Sequence, residues 1–389
     1  MKGHPAPQHL VDQIVSDAAF LACHRPRQLA RPDADLDFIV SIDERLEALV
    51  DAARAAGMQA VSAADAALAN DAGGEAFLPA LLAFERRDTR RIESLLALAE
   101  AVPGRMADLA SALMWVSARH LKGFVPLLLR HGTEAGRVLA VEACVRHRVS
   151  AEQVVAQVAA DRTPASRTRA LAAIGELGLP SLSPLCRPAC ADPEPRARFA
   201  AARSAFLLDP ALDWAQDPLR AFCLADGAWR VPSMQLLLAR LPTPHAHELL
   251  VRLRAAGAST QQLVDGAALC ADAAYLPWLL SLLDSPEQAP AAARAIEQIT
   301  GLRAPPGPEG FEALKSSCAS RAFPTGTRLL LGKPCDAAVA EVALRDGFQH
   351  ERLAAALYLY DRAGMPGLFP CDAPGWRQMR ILATSPAPE

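Results

Sequence analysis

Aromatic residues are scarce in this chain: 12 Phe, 3 Tyr and 5 Trp make up 5% of its 389 residues. Runs of β-branched residues bounded by turn chemistry are nearly absent, which removes the usual sequence basis for a sheet. No apolar stretch approaches the roughly 20 residues that a membrane span requires, so membrane insertion is not expected. The opening Met1-Lys2-Gly3-His4-Pro5 lacks the apolar segment of a signal peptide, and a cytoplasmic location is expected. A basic excess is missing too. The 40 Lys and Arg are set against 43 Asp and Glu, a formal net charge of −3. Phosphate neutralisation dominates the affinity of nucleic-acid binders, so nucleic acid is not an expected partner.

Signatures of enzyme chemistry are also lacking. There is no Gly-rich phosphate loop, no Gly-x-Ser-x-Gly and no His-Glu-x-x-His. The 9 cysteines are scattered and form no Cys-x-x-Cys, which fits reduced thiols and not a disulfide framework. Cys186 and Cys190 lie one helical turn apart, but Pro188 separates them and no His is near. His245 and His247 flank Ala246 at a spacing that points them to different faces of a helix. Both pairs read as structural. His131 and His147, each next to an Arg, suit helix C-termini, where cations complement the dipole. No catalytic residue, cofactor or metal is expected.

What the chain has in abundance is apolar helix-forming material. It is 51% hydrophobic, and that share is dominated by Ala and Leu. A hydrophobic-Pro-Leu phrase recurs as Val125-Pro126-Leu127, Ser183-Pro184-Leu185 and Leu276-Pro277-Trp278-Leu279, with weaker copies at Pro218 and Pro244. The intervals suit a unit of roughly 30 residues with one copy lacking its proline. Proline is tolerated in the first turn of a helix, so each marks a helix start. Preceding segments are Ala-rich and amphipathic: Ala170, Leu171, Ile174 and Leu177 share a face that excludes Arg167, Arg169 and Glu176. Helices that cannot bury their faces alone must stack, and the expected fold is an all-α, HEAT-like helical-repeat solenoid with helical caps at both ends.

The expected boundaries are a cap over residues 1–72, about seven helix pairs over 73–303, a linker over 304–325 in which Ala304 to Gly310 cannot be helical, a C-terminal helical segment over 326–384 docked on the last repeat, and a disordered tail over 385–389. Partner contact has two candidate places. One is the densest basic run, Arg86, Arg87, Arg90 and Arg91, at an interhelical turn flanked by Glu85 and Glu93; it reads either as a solvated turn or as a contact for an acidic partner. The other is Trp229 beside Arg230. Trp115, Trp229 and Trp278 are all weighed between core and interface, and Trp229 is the best interface candidate.

Four phrases occur in a telling order: Ser41-Ile42-Asp43-Glu44-Arg45-Leu46-Glu47-Ala48, Ile296-Glu297-Gln298-Ile299-Thr300-Gly301, Gly326-Thr327-Arg328-Leu329-Leu330-Leu331-Gly332-Lys333-Pro334 and Arg352-Leu353-Ala354-Ala355-Ala356-Leu357. In this the chain resembles a family of bacterial HEAT-repeat proteins of undefined molecular role, often encoded in type VI secretion gene clusters. Members carry a longer acidic stretch between the second and third phrases; here Leu302 to Thr325 is short and not acidic. The resemblance implies a non-catalytic interaction scaffold or accessory factor, with protein partners that include secretion components. It supplies no catalytic residues and leaves the oligomeric state open. The alternatives are a HEAT-like enzyme, related to bilin lyases or to DNA glycosylases, and a regulatory HEAT protein unrelated to secretion.

Overall fold

The computed structural model describes residues 6–31, 33–70, 73–149, 151–305, 307–360 and 367–384. The tail at 385–389 lies outside the described residues. Among those described, the chain is all-α apart from one two-stranded antiparallel hairpin, β1 (Leu329–Leu330) and β2 (Lys333–Pro334), in which Leu329 faces Pro334 and Leu330 faces Lys333. The chain forms two compact units. One comprises residues 1–173 with 372–381; the other comprises 174–371 with 382–389.

The first unit holds α1 (Gln8–Leu29), α2 (Leu36–Ala56), α3 (Met58–Ala67), α4 (Phe77–Arg86), α5 (Thr89–Ala101), α6 (Arg105–Trp115), α7 (Phe124–His131), α8 (Glu134–Arg146) and α9 (Glu152–Ala159). The division between units falls within α10 (Pro164–Leu177). Local chemistry sets these starts. The Asp35 side chain accepts the Phe38 N–H at 2.8 Å, Asp88 accepts that of Arg91 at 3.2 Å and Thr133 accepts that of Gly136 at 3.1 Å. Helix α1 packs against α2, α3 and α4; further along, alternate helices meet, α4 on α6 and α6 on α8. Phe77, Leu81, Phe84, Leu96, Leu109 and Leu113 are buried between them, each contributing about 1.5–3 kcal/mol.

The second unit holds α11 (Ser183–Ala189), α12 (Pro195–Leu208), α13 (Asp213–Leu224), α14 (Arg230–Arg240), α15 (Thr243–Ala255), α16 (Thr260–Cys270), α17 (Leu276–Ser281), α18 (Ala289–Thr300), α19 (Pro308–Ala319), the hairpin, α20 (Ala337–Asp346) and α21 (Gln349–Tyr358). Alternate helices meet here as well, α14 on α16 and α16 on α18. Gly175 is required where α10 approaches α12, because a Cβ there would stand 2.7 Å from the Ser204 Cα. A final helix, α22 (Gly375–Thr384), follows.

Pro126, Pro184, Pro244 and Pro277 lie in the first turns of α7, α11, α15 and α17, where the missing N–H has no intrahelical partner to lose. Pro218 departs from the expectation: it sits in the middle of α13, so that copy of the phrase opens no helix. The expected linker at 304–325 is also corrected. Pro308 begins α19 and helix runs to Ala319, because a proline at the first helical position is compatible with the turn that follows Gly307.

One feature recurs along the chain. Glu100 accepts the Ala135 N–H at the start of α8 at 3.0 Å, and Glu134 accepts the Ala165 N–H at the start of α10 at 2.8 Å. In the same way Arg169 binds Glu142 at 2.7 Å and Arg203 binds Glu176 at 3.5 Å, both across 27 residues. In the second set both ends of the contact are displaced by 34 residues; in the first the glutamate moves by 34 and the N–H donor by 30.

Candidate functional site

The basic run lies on the α4–α5 turn, and its four arginines do different things. Arg87 caps α4 in the left-handed conformation, at φ 55°. That backbone ordinarily favours Gly or Asn, and here it is held by the side chain, whose Nε and Nη2 donate to the carbonyls of His120 and Arg119, each at 3.0 Å. Arg119 Nε donates to His120 Nε2 at 3.0 Å, so the ring proton is on Nδ1, which donates to the Glu85 carbonyl at 3.0 Å. The turn is thereby fastened to the 3₁₀ turn Ala118–Leu121. Arg86 is exposed and touches the sulfur of Met58, itself 67% exposed. Arg90 is exposed. Arg91 turns away: it binds Asp65 at 2.5 Å and the Val61 carbonyl at 3.3 Å, which ties α5 to α3. Glu85 is occupied by Arg54 at 2.6 Å.

Trp229 and Arg230 are placed differently from each other. Trp229 is half-buried, stacked on Phe199 at 4.7 Å and tilted on Phe222 at 6.3 Å. Arg230 is buried, 6% exposed, and its guanidinium donates to the carbonyls of Leu224 and Ala256 at 3.2 Å and pairs with Asp226 at 2.7 Å. These contacts hold α13, α14 and α15 together, so Arg230 has a structural place and is not presented to a partner. Of the other tryptophans, Trp115 is buried edge-on to Phe77, and Trp278 is half-buried.

His247 Nε2 lies 3.2 Å from the buried Asp272 carboxylate, which also accepts the Gly326 N–H at 2.9 Å. The thiol nearest in sequence to this carboxylate, Cys270, is pushed up to about 12 by burial, which leaves it protonated and unreactive. Burial likewise raises Cys186 to about 12 and Cys190 to about 11. Among the described residues no three His, Cys, Asp or Glu side chains converge as metal ligands. Among the described residues no helix is long and apolar enough to cross a membrane.

Sequence reasoning missed the most extensive polar cluster of the first unit. Arg25 is 3% exposed and Asp43 2%. They pair twice, Nε–Oδ1 at 2.6 Å and Nη2–Oδ2 at 3.0 Å. Two further donors of Arg25 take the carbonyls of Asp372 at 2.7 Å and Ala373 at 3.0 Å, and Asp43 accepts the Gly375 N–H at 2.7 Å. Beside them Arg146 pairs with Asp372 and Glu142, and Arg377 donates to the Arg146 carbonyl at 2.7 Å. Burial works to raise the Glu142 carboxyl, but Arg169 and Arg146 outweigh it and hold the group below its ordinary range. His147 Nε2–H donates to the Leu113 carbonyl at 2.9 Å, and burial with Arg377 lowers the ring to about 4. The expectation that residues 326–384 dock together is therefore corrected in part. The Leu329, Leu331 and Gly332 N–H groups bind the carbonyls of Ala271, Gln298 and Ile299 at 2.7, 3.0 and 3.0 Å, but 372–381 belongs to the first unit because Arg25 and Asp43 hold its backbone.

The four phrases of the sequence fall on such structural positions: Asp43, Gln298 with Gly301, Arg328 through Gly332, and Arg352, which is 0% exposed. No protein-family model matches the chain, and no curated protein sequence matches it significantly.

Proposed function

We propose that the chain is a HEAT-like helical-repeat solenoid acting in the cytoplasm as a non-catalytic protein-interaction scaffold of a bacterial type VI secretion system. The observation that supports the repeat reading is the pair of polar contacts that recur with a displacement of 30 to 34 residues, at Glu100 and Glu134 and again at Glu142 and Glu176. Stacked helix pairs offer long surfaces suited to holding other proteins. The link to secretion comes from the resemblance of the four phrases. Affinity purification of the tagged full chain from the native bacterium, followed by mass spectrometry, tests the proposal. Secretion-apparatus proteins are the expected partners, and recovery of unrelated partners alone would favour a regulatory HEAT protein.

A further inference from the structure

We propose that the rim formed by Arg86, Arg87, Arg119 and Lys122 is a docking site for an acidic peptide segment, and this rests on the scaffold reading above. The bonds that fasten the α4–α5 turn to the 3₁₀ turn bring together two basic stretches separated by more than 30 residues. Arg86, Arg87, Arg119 and Lys122 are all exposed. Among the described residues none of the four meets a carboxylate: Arg87 is spent on carbonyls, Arg119 on the His120 ring and Arg86 on a methionine sulfur. The acids nearby are already engaged, Glu85 by Arg54 and Asp88 as the cap of α5. The rim thus gathers four exposed cations, none of them paired with a carboxylate among the described residues, on a molecule whose net charge is −3. Arg90 extends it by one turn, and Met58 adds an exposed apolar contact at its edge.

Charge complementarity selects an anionic partner, and two features select a peptide over a nucleic acid. The cations are few and clustered, where a bound strand needs a sustained basic track. The neighbouring rings, Phe84 and Phe124, are 0% and 5% exposed, leaving no face there for a base to stack on. Carboxylates on an extended chain match the forked guanidinium donors, and an apolar residue between them matches Met58.

The test uses the full chain and a fluorescent glutamate-rich peptide containing leucine, followed by anisotropy at low and physiological salt. Arg87 is left intact because it holds the turn. The triple variant Arg86→Glu, Arg119→Glu, Lys122→Glu is expected to weaken binding about tenfold or more, since like charges then face one another. A control reversal of the exposed Arg196 and Arg254 is expected to leave binding unchanged. No peptide binding by the parent, equal binding by the triple variant, or tighter binding of a thymidine oligonucleotide of matched charge would each overturn the assignment. The scaffold reading fails separately: in parallel affinity purifications, secretion partners retained by both parent and triple variant would keep the scaffold and remove this rim as its site.

Discussion

Arg25 shows how a charge is accommodated in an apolar interior: four of its five N–H donors have an oxygen acceptor, two on Asp43 and one each on Asp372 and Ala373. A buried pair contributes little over an apolar one, but removing one partner leaves the other charge uncompensated. Asp43→Ala is therefore expected to lower stability by about 3–5 kcal/mol in urea unfolding, far more than Asp33→Ala at the exposed Arg31 pair, where solvent screens the charges. His147 gives a pH signature. Its folded value of about 4 lies below the ordinary 6.5, so the folded state binds fewer protons than the unfolded state. The stabilisation is complete above pH 6.5 and is lost as pH falls toward 4. His147→Gln keeps a donor near the Leu113 carbonyl and removes the titration. Between these pH values the parent should lose up to about 3 kcal/mol more than the variant, measured by urea midpoints in a pH series.

At the scale of elements, the C-terminal part of the chain is fastened by two separate devices. The hairpin lies on α16 and α18 through backbone bonds, and Gly301 permits the approach: its φ is 69°, and a Cβ would stand 2.6 Å from the Leu331 carbonyl oxygen. Leu330 is fully buried beneath it. Leu330→Ala should cost about 2–5 kcal/mol through the cavity it leaves. Residues 372–381 depend instead on Arg25 and Asp43. Ending the chain at residue 371 should lower hydrogen-exchange protection in α1 and α2 while sparing α16 and α18. Ending it after Gly301 should lower protection in both sets and reduce solubility, because apolar surface is uncovered. Equal protection in α1 and α2 before and after the shorter truncation would show that the Arg25 contacts hold nothing in place.

For the molecule as a whole, net charge and the distribution of cations set the partners. With a net charge of −3 and no sustained basic track, the chain is expected to bind no DNA measurably at physiological salt. Submicromolar binding that falls steeply between low and physiological salt, in an electrophoretic or anisotropy assay, would instead place the chain among nucleic-acid binders.

The sequence by itself determined the class of the fold and most helix starts. Those follow from local chemistry: Ala and Leu in an amphipathic period, prolines in first turns, and Asp and Thr caps. It misjudged Pro218 and the stretch after Pro308, where proline alone does not say whether helix continues. The basic turn was visible as a run of four arginines, yet its surroundings were not, because Arg91 is drawn to Asp65 while Arg87 reaches the carbonyls of Arg119 and His120, 32 and 33 residues away, and so brings the stretch that holds Arg119 and Lys122 to the turn. Tertiary structure alone decided the Arg25–Asp43 capture of residues some 347 positions away. Helix formation is read from neighbours within a few residues, whereas the partner of a buried charge is whichever group packing brings within about 3 Å, and nothing in the local sequence records that distance.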